Sequence, residues 1–187
     1  MELKAVIESC LEGRPGAWDM LVNAYLQKIL NMAYQFTGSR AEAEDQTQEI
    51  FLKVFHSLSK YDTEKNFSAW LLTLARNHLI DAYRRTRWER KNRDDFDENL
   101  PSREQTTDNP EDALLRREEQ KVLWRGLNTL PADIRLAIIL KEIQGKKYEE
   151  VADVLGLPLG TVKSRINRGK LQLAKLLRER KEKGDDL

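Results

Sequence analysis

The chain has 187 residues, enough for one medium-sized domain or for two small domains joined by a linker. Only 7% of the residues are aromatic, the mean hydropathy is -0.66 and alternating runs of β-branched residues are missing, so the composition predicts an all-α protein. The single cysteine, Cys10, excludes an internal disulfide, and the two histidines are too far from it in sequence to suggest a metal-ligand cluster.

The sequence also argues against several functional classes. No apolar run approaches the roughly 18 residues of a membrane span, and the N-terminus lacks the charged and then apolar pattern of a secretion signal. We therefore expect a cytoplasmic protein without membrane insertion. A Gly-rich phosphate loop, a nucleophile elbow and metal-ligand spacing are also missing. We therefore expect no enzyme activity, no catalytic or metal-binding residues, no cofactor and no small-molecule substrate.

The net charge of +1 conceals an uneven distribution along the chain. Residues 1–90 carry 12 basic and 12 acidic side chains, residues 91–115 carry 3 and 8, and residues 116–187 carry 17 and 11. A basic C-terminal third suits contact with DNA, whereas the nearly neutral whole indicates weak DNA binding by the protein alone.

Two amphipathic helices are predicted in the first third of the chain. In the first, apolar residues recur at every third or fourth position from Trp18 to Phe36, and the helix ends at Gly38. The second runs from about Arg40 to Leu58. Its inward stripe consists of Ala43, Thr47, Ile50, Phe51, Val54 and Leu58.

The outer face of the second helix carries Asp45, Gln48, Glu49 and Leu52. An ordinary solvated face explains the two carboxylates adequately. It explains Leu52 less well, because an apolar side chain among polar neighbours is typical of a protein-docking surface.

A loop from Tyr61 to Ser68 leads into a long helix, with Ser68 as its possible N-cap. The buried stripe of this helix includes His78, which we interpret as a core histidine. The opposite face is basic and interleaved with aromatic residues, a combination that suits phosphates and unstacked bases. A solvated basic helix end, favoured by the macrodipole, explains the same residues almost equally well. The residues concerned are Trp70, Thr73, Arg76, Asn77, Tyr83, Arg84, Arg85, Arg87, Trp88 and Arg90.

Residues 93–110 are acidic, polar and almost free of aliphatic side chains, so we predict a flexible acidic linker there. The two helical domains are then 1–92 and 111–187. Two helices follow the linker, opened by Pro110 and Pro131. Their predicted core residues are Leu114, Leu115, Val122, Leu123 and Leu127 in the first and Ile134, Ala137, Ile138 and Ile143 in the second.

The last quarter of the chain completes a four-helix module with the outline of a helix-turn-helix. A helical run from Tyr148 to Leu155 meets a break at Gly156 to Pro158, and a basic helical run follows. An ordinary surface helix also carries cations, but the place of the break and the cations near the second helix's N-terminus favour a helix that lies in the DNA major groove. Its apolar stripe is Val162, Ile166, Gly169, Leu173, Leu176 and Leu177; Ser164, Asn167, Arg168 and Lys175 lie opposite, and Lys163, Arg165 and Lys170 lie at the borders.

Several short motifs occur in a fixed order along the chain. They are AEDQTQEIF (43–51), FSAWL (67–71), ARN (75–77), LP (130–131), YEEVA (148–152) and GTVKSR (160–165). Each is weak alone, but the ordered set resembles the extracytoplasmic-function subgroup of the sigma-70 family of bacterial RNA polymerase sigma factors.

The resemblance implies two helical domains that join core RNA polymerase and give it promoter specificity. The first domain would dock on the clamp helices of the largest core subunit and would recognise and open the minus-10 element. The helix-turn-helix would read the minus-35 element. The implied docking residues are Asp45, Gln48, Glu49 and Leu52; the implied minus-10 residues are Asn66, Phe67, Trp70, Thr73, Arg76, Asn77 and Arg84; and the implied minus-35 residues are Thr161, Lys163, Ser164, Arg165, Asn167 and Arg168.

Two of these positions need comment. Arg165 is expected on a phosphate, because it lies near the apolar border of its helix. Many members of the family place a bulky residue or a histidine where Asn167 stands, so the minus-35 bases stay open. The resemblance also implies an anti-sigma factor as a partner. The alternative is an autonomous helix-turn-helix regulator with a helical N-terminal sensor or dimerisation domain.

Overall fold

The computed structural model describes residues 3–92 and 122–184, and it describes side chains for 3–89 and 122–179. The chain divides into two compact units, Met1–Asp97 and Glu98–Leu187. The described residues are helical and contain no strand, which confirms the predicted all-α fold with two helical domains. The predicted linker and the start of the helix expected after Pro110 lie outside the described residues. Within the described ranges, no helix is long and apolar enough to cross a membrane.

The described part of the first unit, residues 3–92, consists of four α-helices and one 3-10 turn. The helices are α1 (Leu3–Leu11), α2 (Ala17–Thr37), α3 (Arg40–Ser57) and α4 (Phe67–Asn92), with the 3-10 turn at Leu58–Lys60. Gly38 ends α2 in the left-handed region, with φ 76, and Ser39 caps α3 by accepting a hydrogen bond from the Glu42 N–H. This Gly-Ser pair reverses the chain, and α3 packs along α2 and against α4.

The core of the first unit is aliphatic, as predicted. All six residues of the predicted α3 stripe are buried. The hydroxyl of Thr47 donates to the Ala43 carbonyl at 2.6 Å, so the one polar member of the stripe has a hydrogen-bond partner. Ile29 of α2 and Leu71 and Leu79 of α4 complete the same core.

The predicted N-cap of α4 was wrong by two residues. The helix begins at Phe67, and the Asn66 side chain accepts a hydrogen bond from the Ala69 N–H at 3.1 Å. An N-cap oxygen accepts from the amide two or three residues after it, and Asn66 has the three-residue spacing. Ser68 lies inside the first turn instead, where its hydroxyl donates to the Tyr25 hydroxyl at 3.2 Å.

The second unit contains four helices within its described part. They are α5 (described over 122–129), α6 (Ala132–Ile138), α7 (Tyr148–Leu155) and α8 (Leu159–Gly184). A π-helical turn, Ile139–Ile143, continues α6. The core of this unit is a cluster of Leu127, Leu130, Ile134 and Ile138, with Trp124 and Leu173 packed against it.

A buried arginine joins α5 to α6. Arg135 is 2% exposed, and its Nε donates to the Leu127 carbonyl at 3.0 Å while its Nη2 donates to the Asn128 carbonyl at 3.1 Å. These carbonyls belong to the last turn of α5, where the regular helical hydrogen bonds end, although the Leu127 carbonyl also accepts from the Leu130 N–H at 3.1 Å. Arg135 therefore caps α5 from a neighbouring helix.

Four predicted core residues of the second unit are exposed. The π-helical turn shifts the register of the chain before Ile143, and the side chain of Ile143 faces solvent. Leu123 lies on the solvent side of α5. α8 continues beyond its contact at Leu173, so Leu176 and Leu177 have no described helix to pack against and are exposed.

Gly169 sets the distance between α8 and α6. A Cβ atom at this position would lie 2.5 Å from Ile138 Cδ1 and 2.6 Å from Ile134 Cγ2, closer than side chains normally approach. The absence of a side chain lets the two helices pack closely, which explains why a glycine belongs to the apolar stripe of α8.

We predict that Gly169→Ala lowers the free energy of unfolding by about 1–3 kcal/mol, because the new methyl group overpacks the α6–α8 contact. Gly160→Ala is the matched control, since a Cβ at Gly160 would meet nothing within 4 Å and alanine favours the helix. Thermal unfolding of the full chain, followed by circular dichroism, compares the two variants. Equal stability of both would contradict the close packing.

His78 predicts a pH dependence of stability. It is 6% exposed, and its Nε2 has no hydrogen-bond partner within the described residues. Burial lowers the pKa of His78, and the positive charge of Lys53 adds to the effect, while Glu49 opposes it. The folded state therefore favours the neutral ring, and the unfolded state takes up the proton first as the pH falls below about 6.5.

We expect the free energy of unfolding to fall as the pH drops below about 6.5, and His78→Leu to reduce that fall. His56→Leu, a change at an exposed histidine, should leave it unchanged. Urea unfolding across this pH range measures the effect, and a His78→Leu profile parallel to the wild type would show that another group is responsible.

Candidate functional site

An aromatic cluster holds the loop that precedes α4. The Tyr61 ring lies 5.2 Å from the Phe67 ring and 5.1 Å from the Trp70 ring, and the Tyr25 ring lies 5.2 Å from Phe67. The Tyr61 hydroxyl donates to the Lys65 carbonyl across the loop. Burial raises the pKa of Tyr61, which keeps this hydroxyl a neutral donor. The loop therefore has a defined conformation before any ligand binds.

Phe67 was predicted to contact the minus-10 element, but the structure buries its side chain. Its side chain is 3% exposed and lies between Tyr25, Tyr61 and Trp70. A ring in this position has no surface to offer to a base. Phe67 instead supports the loop and the first turn of α4.

The other predicted minus-10 residues lie on α4 or at its start. Their spacing of three, four and seven residues places Trp70, Thr73, Asn77 and Arg84 on one face of the helix. Trp70 and Thr73 are half-buried, whereas Asn77 and Arg84 are exposed. Arg76 borders this face, and its Nη1 donates to Asn77 Oδ1 at 2.7 Å. We call this set of side chains the α4 face.

The predicted docking residues are likewise contiguous. Asp45, Gln48, Glu49 and Leu52 occur at helical spacing on the outer side of α3, and all are exposed, Leu52 to 54%. The structure adds Phe55, which is 58% exposed three residues after Leu52 and makes an edge contact with the Trp18 ring at 5.2 Å. Sequence reasoning missed Phe55, although it falls outside the inward stripe of the helix.

The helix-turn-helix has the predicted break. α7 ends at Leu155, the C-cap Gly156 has φ 63, and the Leu157 N–H donates to the Ala152 carbonyl at 3.1 Å. At the other end of α7, Glu150 accepts hydrogen bonds from the Lys147 N–H at 2.8 Å and from Lys146 Nζ at 2.6 Å. These bonds lower the pKa of the Glu150 carboxyl and fix the first turn of α7.

The predicted minus-35 residues occupy the outer side of the first turns of α8. Val162 and Ile166 are buried against the unit, Thr161 and Arg165 are half-buried, and the rest are exposed. The side chains of Ser164, Asn167 and Arg168 make no hydrogen bond or ion pair with other described residues. We call Ser164, Asn167 and Arg168 the α8 face.

The border cations of α8, in contrast, have partners within the unit. Arg165 Nη1 lies 3.6 Å from Asp133 Oδ2 of α6, and Lys170 Nζ lies 3.1 Å from Glu142 Oε1 of the π-helical turn. Lys163 Nζ lies 5.7 Å from the centroid of the Tyr148 ring. The cations beside the α8 face are therefore held in place.

Two residues at this border were missed by the sequence analysis. Tyr148 is the first residue of α7. The ammonium groups of two lysines lie near its ring, Lys141 Nζ at 4.7 Å from the centroid and Lys163 Nζ at 5.7 Å. Lys141 belongs to the π-helical turn, so only the folded structure brings it beside α8. In the described part of the chain, no group of three or more His, Cys, Asp or Glu residues could hold a metal ion.

Both units match known sigma factor regions. The Sigma-70 region 2 family model matches residues 21–89, and the Sigma-70, region 4 model matches residues 120–173. The ECF RNA polymerase sigma factor SigW of Bacillus subtilis is 32% identical over 190 aligned positions, which cover 96% of this chain and 98% of SigW. The chain belongs to the extracytoplasmic-function subgroup of the sigma-70 family.

Two further comparisons agree with this assignment. SigE of Mycolicibacterium smegmatis is 36% identical over 84% of this chain, which spans 60% of that longer relative. The solved structure of the sigma factor RpoE of Bartonella quintana, in complex with the anti-sigma factor NepR, has a TM-score of 0.69 and 26% identity and covers 87% of this chain and 98% of that chain.

This sigma factor therefore binds core RNA polymerase and directs promoter-specific initiation of transcription. The alternative of an autonomous regulator with an unrelated N-terminal domain is not favoured, because sigma-70 similarity covers both units.

Proposed function

We propose that three surfaces of this sigma factor have separate binding roles in transcription initiation. The α4 face, with Asn66 and the loop before it, binds the minus-10 element; the α8 face, with its border cations, binds the minus-35 element; and the outer side of α3 docks on the clamp helices of the largest core subunit. The observation that carries the proposal is that each predicted residue set, apart from Phe67, forms one contiguous surface within a matched sigma-70 region.

At the minus-10 element, the α4 face acts on a base that leaves the duplex. Extruding a base costs a few kcal/mol, so the protein must offer compensating contacts in a preformed site. The half-buried Trp70 ring presents an aromatic edge or face for stacking, and Asn77 offers both a donor and an acceptor. Arg76 and Arg84 supply charge for the phosphates. The aromatic cluster keeps this arrangement rigid, so little ordering is needed when DNA binds.

At the minus-35 element, the three residues of the α8 face read base edges in the major groove. Arg168 is suited to a bidentate contact with guanine and Asn167 to one with adenine. Arg165, already paired with Asp133, contacts a phosphate, as do Lys163 and Thr161 beside it. Lys141 and Tyr148 extend this phosphate-binding border.

We further propose the residue boundaries 1–92, 93–110 and 111–187 for the two domains and the linker. We also propose that the protein is cytoplasmic and has no catalytic group of its own, because a sigma factor only positions polymerase on DNA. An anti-sigma factor is a proposed partner, because the related RpoE was solved with one. It would inhibit the protein by covering one or more of the three surfaces.

The α8 face yields a prediction about promoter discrimination. Arg168→Ala should reduce discrimination between the cognate minus-35 element and a mismatched one by about 1–3 kcal/mol, because a base-edge contact is lost. Lys175→Ala, which removes a cation from a later turn of the same helix, is the control and should leave discrimination unchanged. Equilibrium binding of reconstituted holoenzyme to both promoters measures it. An equal loss on both promoters would assign Arg168 to a phosphate.

The α3 surface yields a prediction about polymerase binding. Leu52→Glu should weaken the affinity for core RNA polymerase by roughly tenfold or more, because a carboxylate replaces an apolar contact among existing carboxylates. Leu11→Glu is the control, since it makes the same change at a leucine of α1 that is 46% exposed and lies outside the proposed docking surface. Titration of labelled core enzyme measures the affinity of each variant, and circular dichroism checks that both variants keep the helix content of the wild type. Unchanged affinity for Leu52→Glu would remove this surface from the proposed dock.

A further inference from the structure

Trp88 is an exposed tryptophan to which neither the fold nor the proposed surfaces give a role. Its side chain is 67% exposed, more than any other large hydrophobic side chain of the described residues. A single exposed apolar residue is ordinary on a protein surface, so exposure alone indicates nothing. The position of Trp88 on α4 adds the information.

Trp88 lies in line with the α4 face. It follows Asn77 by 11 residues, which in an α-helix is three turns plus about 20° of rotation, and it follows Arg84 by four residues. The indole therefore projects from the same side of the helix as Asn77. The distance along the axis between the two positions is about 16 Å.

The surroundings of Trp88 carry more basic than acidic side chains: three arginines lie near it, against the exposed carboxylates of Asp81, two turns earlier on the same side, and of Glu89, next in sequence. Arg84 and Arg85 lie about one helical turn before Trp88, one on each side of the line along the helix that passes through Trp88. Arg87 directly precedes Trp88 in sequence, and all three arginines are exposed. An aromatic ring bordered by guanidinium groups fits a nucleic acid, which offers phosphates at the edges and apolar sugar and base surfaces between them. Tryptophan and arginine also occur together in protein interfaces, so the affinity for core enzyme alone has to be measured as the competing explanation.

We propose that Trp88 is a second DNA contact of α4, packing its indole against nucleotides that flank the minus-10 element while Arg84, Arg85 and Arg87 bind the phosphates around it. This rests on the proposed role of the α4 face. With a rise of 3.4 Å per base pair, 16 Å corresponds to at most about five base pairs beyond the nucleotide at Asn77. Because α4 leads along the chain into the unit that is proposed to read the minus-35 element, the flank is the upstream one.

The contact of Trp88 increases the affinity for promoter DNA and depends little on the sequence of the flank. Apolar side chains pack on sugars, between base steps or on thymine methyl groups. Sugars and base steps occur in every DNA sequence, and thymine methyl groups occur in most. Trp88 therefore contributes affinity for the flank, while Asn77 and Trp70 act on the minus-10 element itself.

The test uses holoenzyme reconstituted with core RNA polymerase and two promoter fragments. One retains the duplex upstream of the minus-10 element, and the other ends two base pairs upstream of it. Trp88→Ala should bind the longer fragment about tenfold more weakly than the wild type and should bind the shorter one as the wild type does. Trp88→Phe should recover most of the loss. In addition, 5-iodouracil in the upstream flank should cross-link to the wild type and not to Trp88→Ala.

Other results separate this proposal from the proposed function. Asn77→Ala should weaken binding to both fragments; if it affects neither, the role of the α4 face fails whatever Trp88 does. Unchanged affinity of Trp88→Ala for the longer fragment, or an equal loss on both fragments, overturns the flank contact. A reduced affinity for core enzyme alone overturns it too, and assigns Trp88 to a polymerase surface. Leu11→Ala, at an exposed residue of α1, is the control for the loss of an apolar side chain.

Discussion

The close approach of α8 to α6 at Gly169 determines what the second unit can do. Ile134 and Ile138 occupy the space in which a side chain would lie, so the helix proposed to read DNA rests directly on the helix behind it. The pairs Arg165–Asp133 and Lys170–Glu142 lie on α8 four residues before the glycine and one residue after it. One apolar contact therefore sets the depth of α8, and the burial of Val162 and Ile166 sets its rotation, with the two ion pairs at the borders of the buried stripe. Ser164, Asn167 and Arg168 consequently face outward together.

The first unit achieves the same rigidity by aromatic packing. Tyr25, Tyr61, Phe67 and Trp70 form one cluster that joins α2, the loop and the first turns of α4. The loop contains few aliphatic residues of its own, so its conformation depends on Tyr61 at one end and Phe67 at the other. A buried phenylalanine next to proposed DNA-binding residues is thus explained by the need to hold them, and it needs no contact with DNA itself.

Helical periodicity was enough to predict the fold because the inward stripes of α2 and α3 are long and regular. It was less reliable where a helix departs from the ideal. The π-helical turn placed Ile143 in solvent, and α8 extends beyond its packing partners, so leucines at the correct spacing are exposed. Spacing shows which residues share a face, but burial depends on whether another element covers that face.

The proposed surfaces follow the same rule. Residues close together in one helix, such as the outer side of α3, could be grouped from the sequence, whereas groups drawn from separate elements could not. The neighbourhood of Lys141, Tyr148 and Lys163 joins a π-helical turn to α7 and α8 and becomes apparent only after folding. Phe67 shows the opposite error, in which a motif residue was assigned to the ligand although its ring is a structural support.

The carboxylates of Asp133 and Glu142 have a consequence for how salt acts on this protein. Where Arg165 and Lys170 are free of DNA, each already has an acidic oxygen within 4 Å, in the place that a mobile anion would otherwise tend to occupy. A DNA phosphate that takes up either cation exchanges one fixed anion for another. The number of lysines and arginines on α8 therefore overstates the electrostatic gain on contact. In the proposed contact with DNA, Arg165 and Lys170 therefore contribute less than their formal charge suggests.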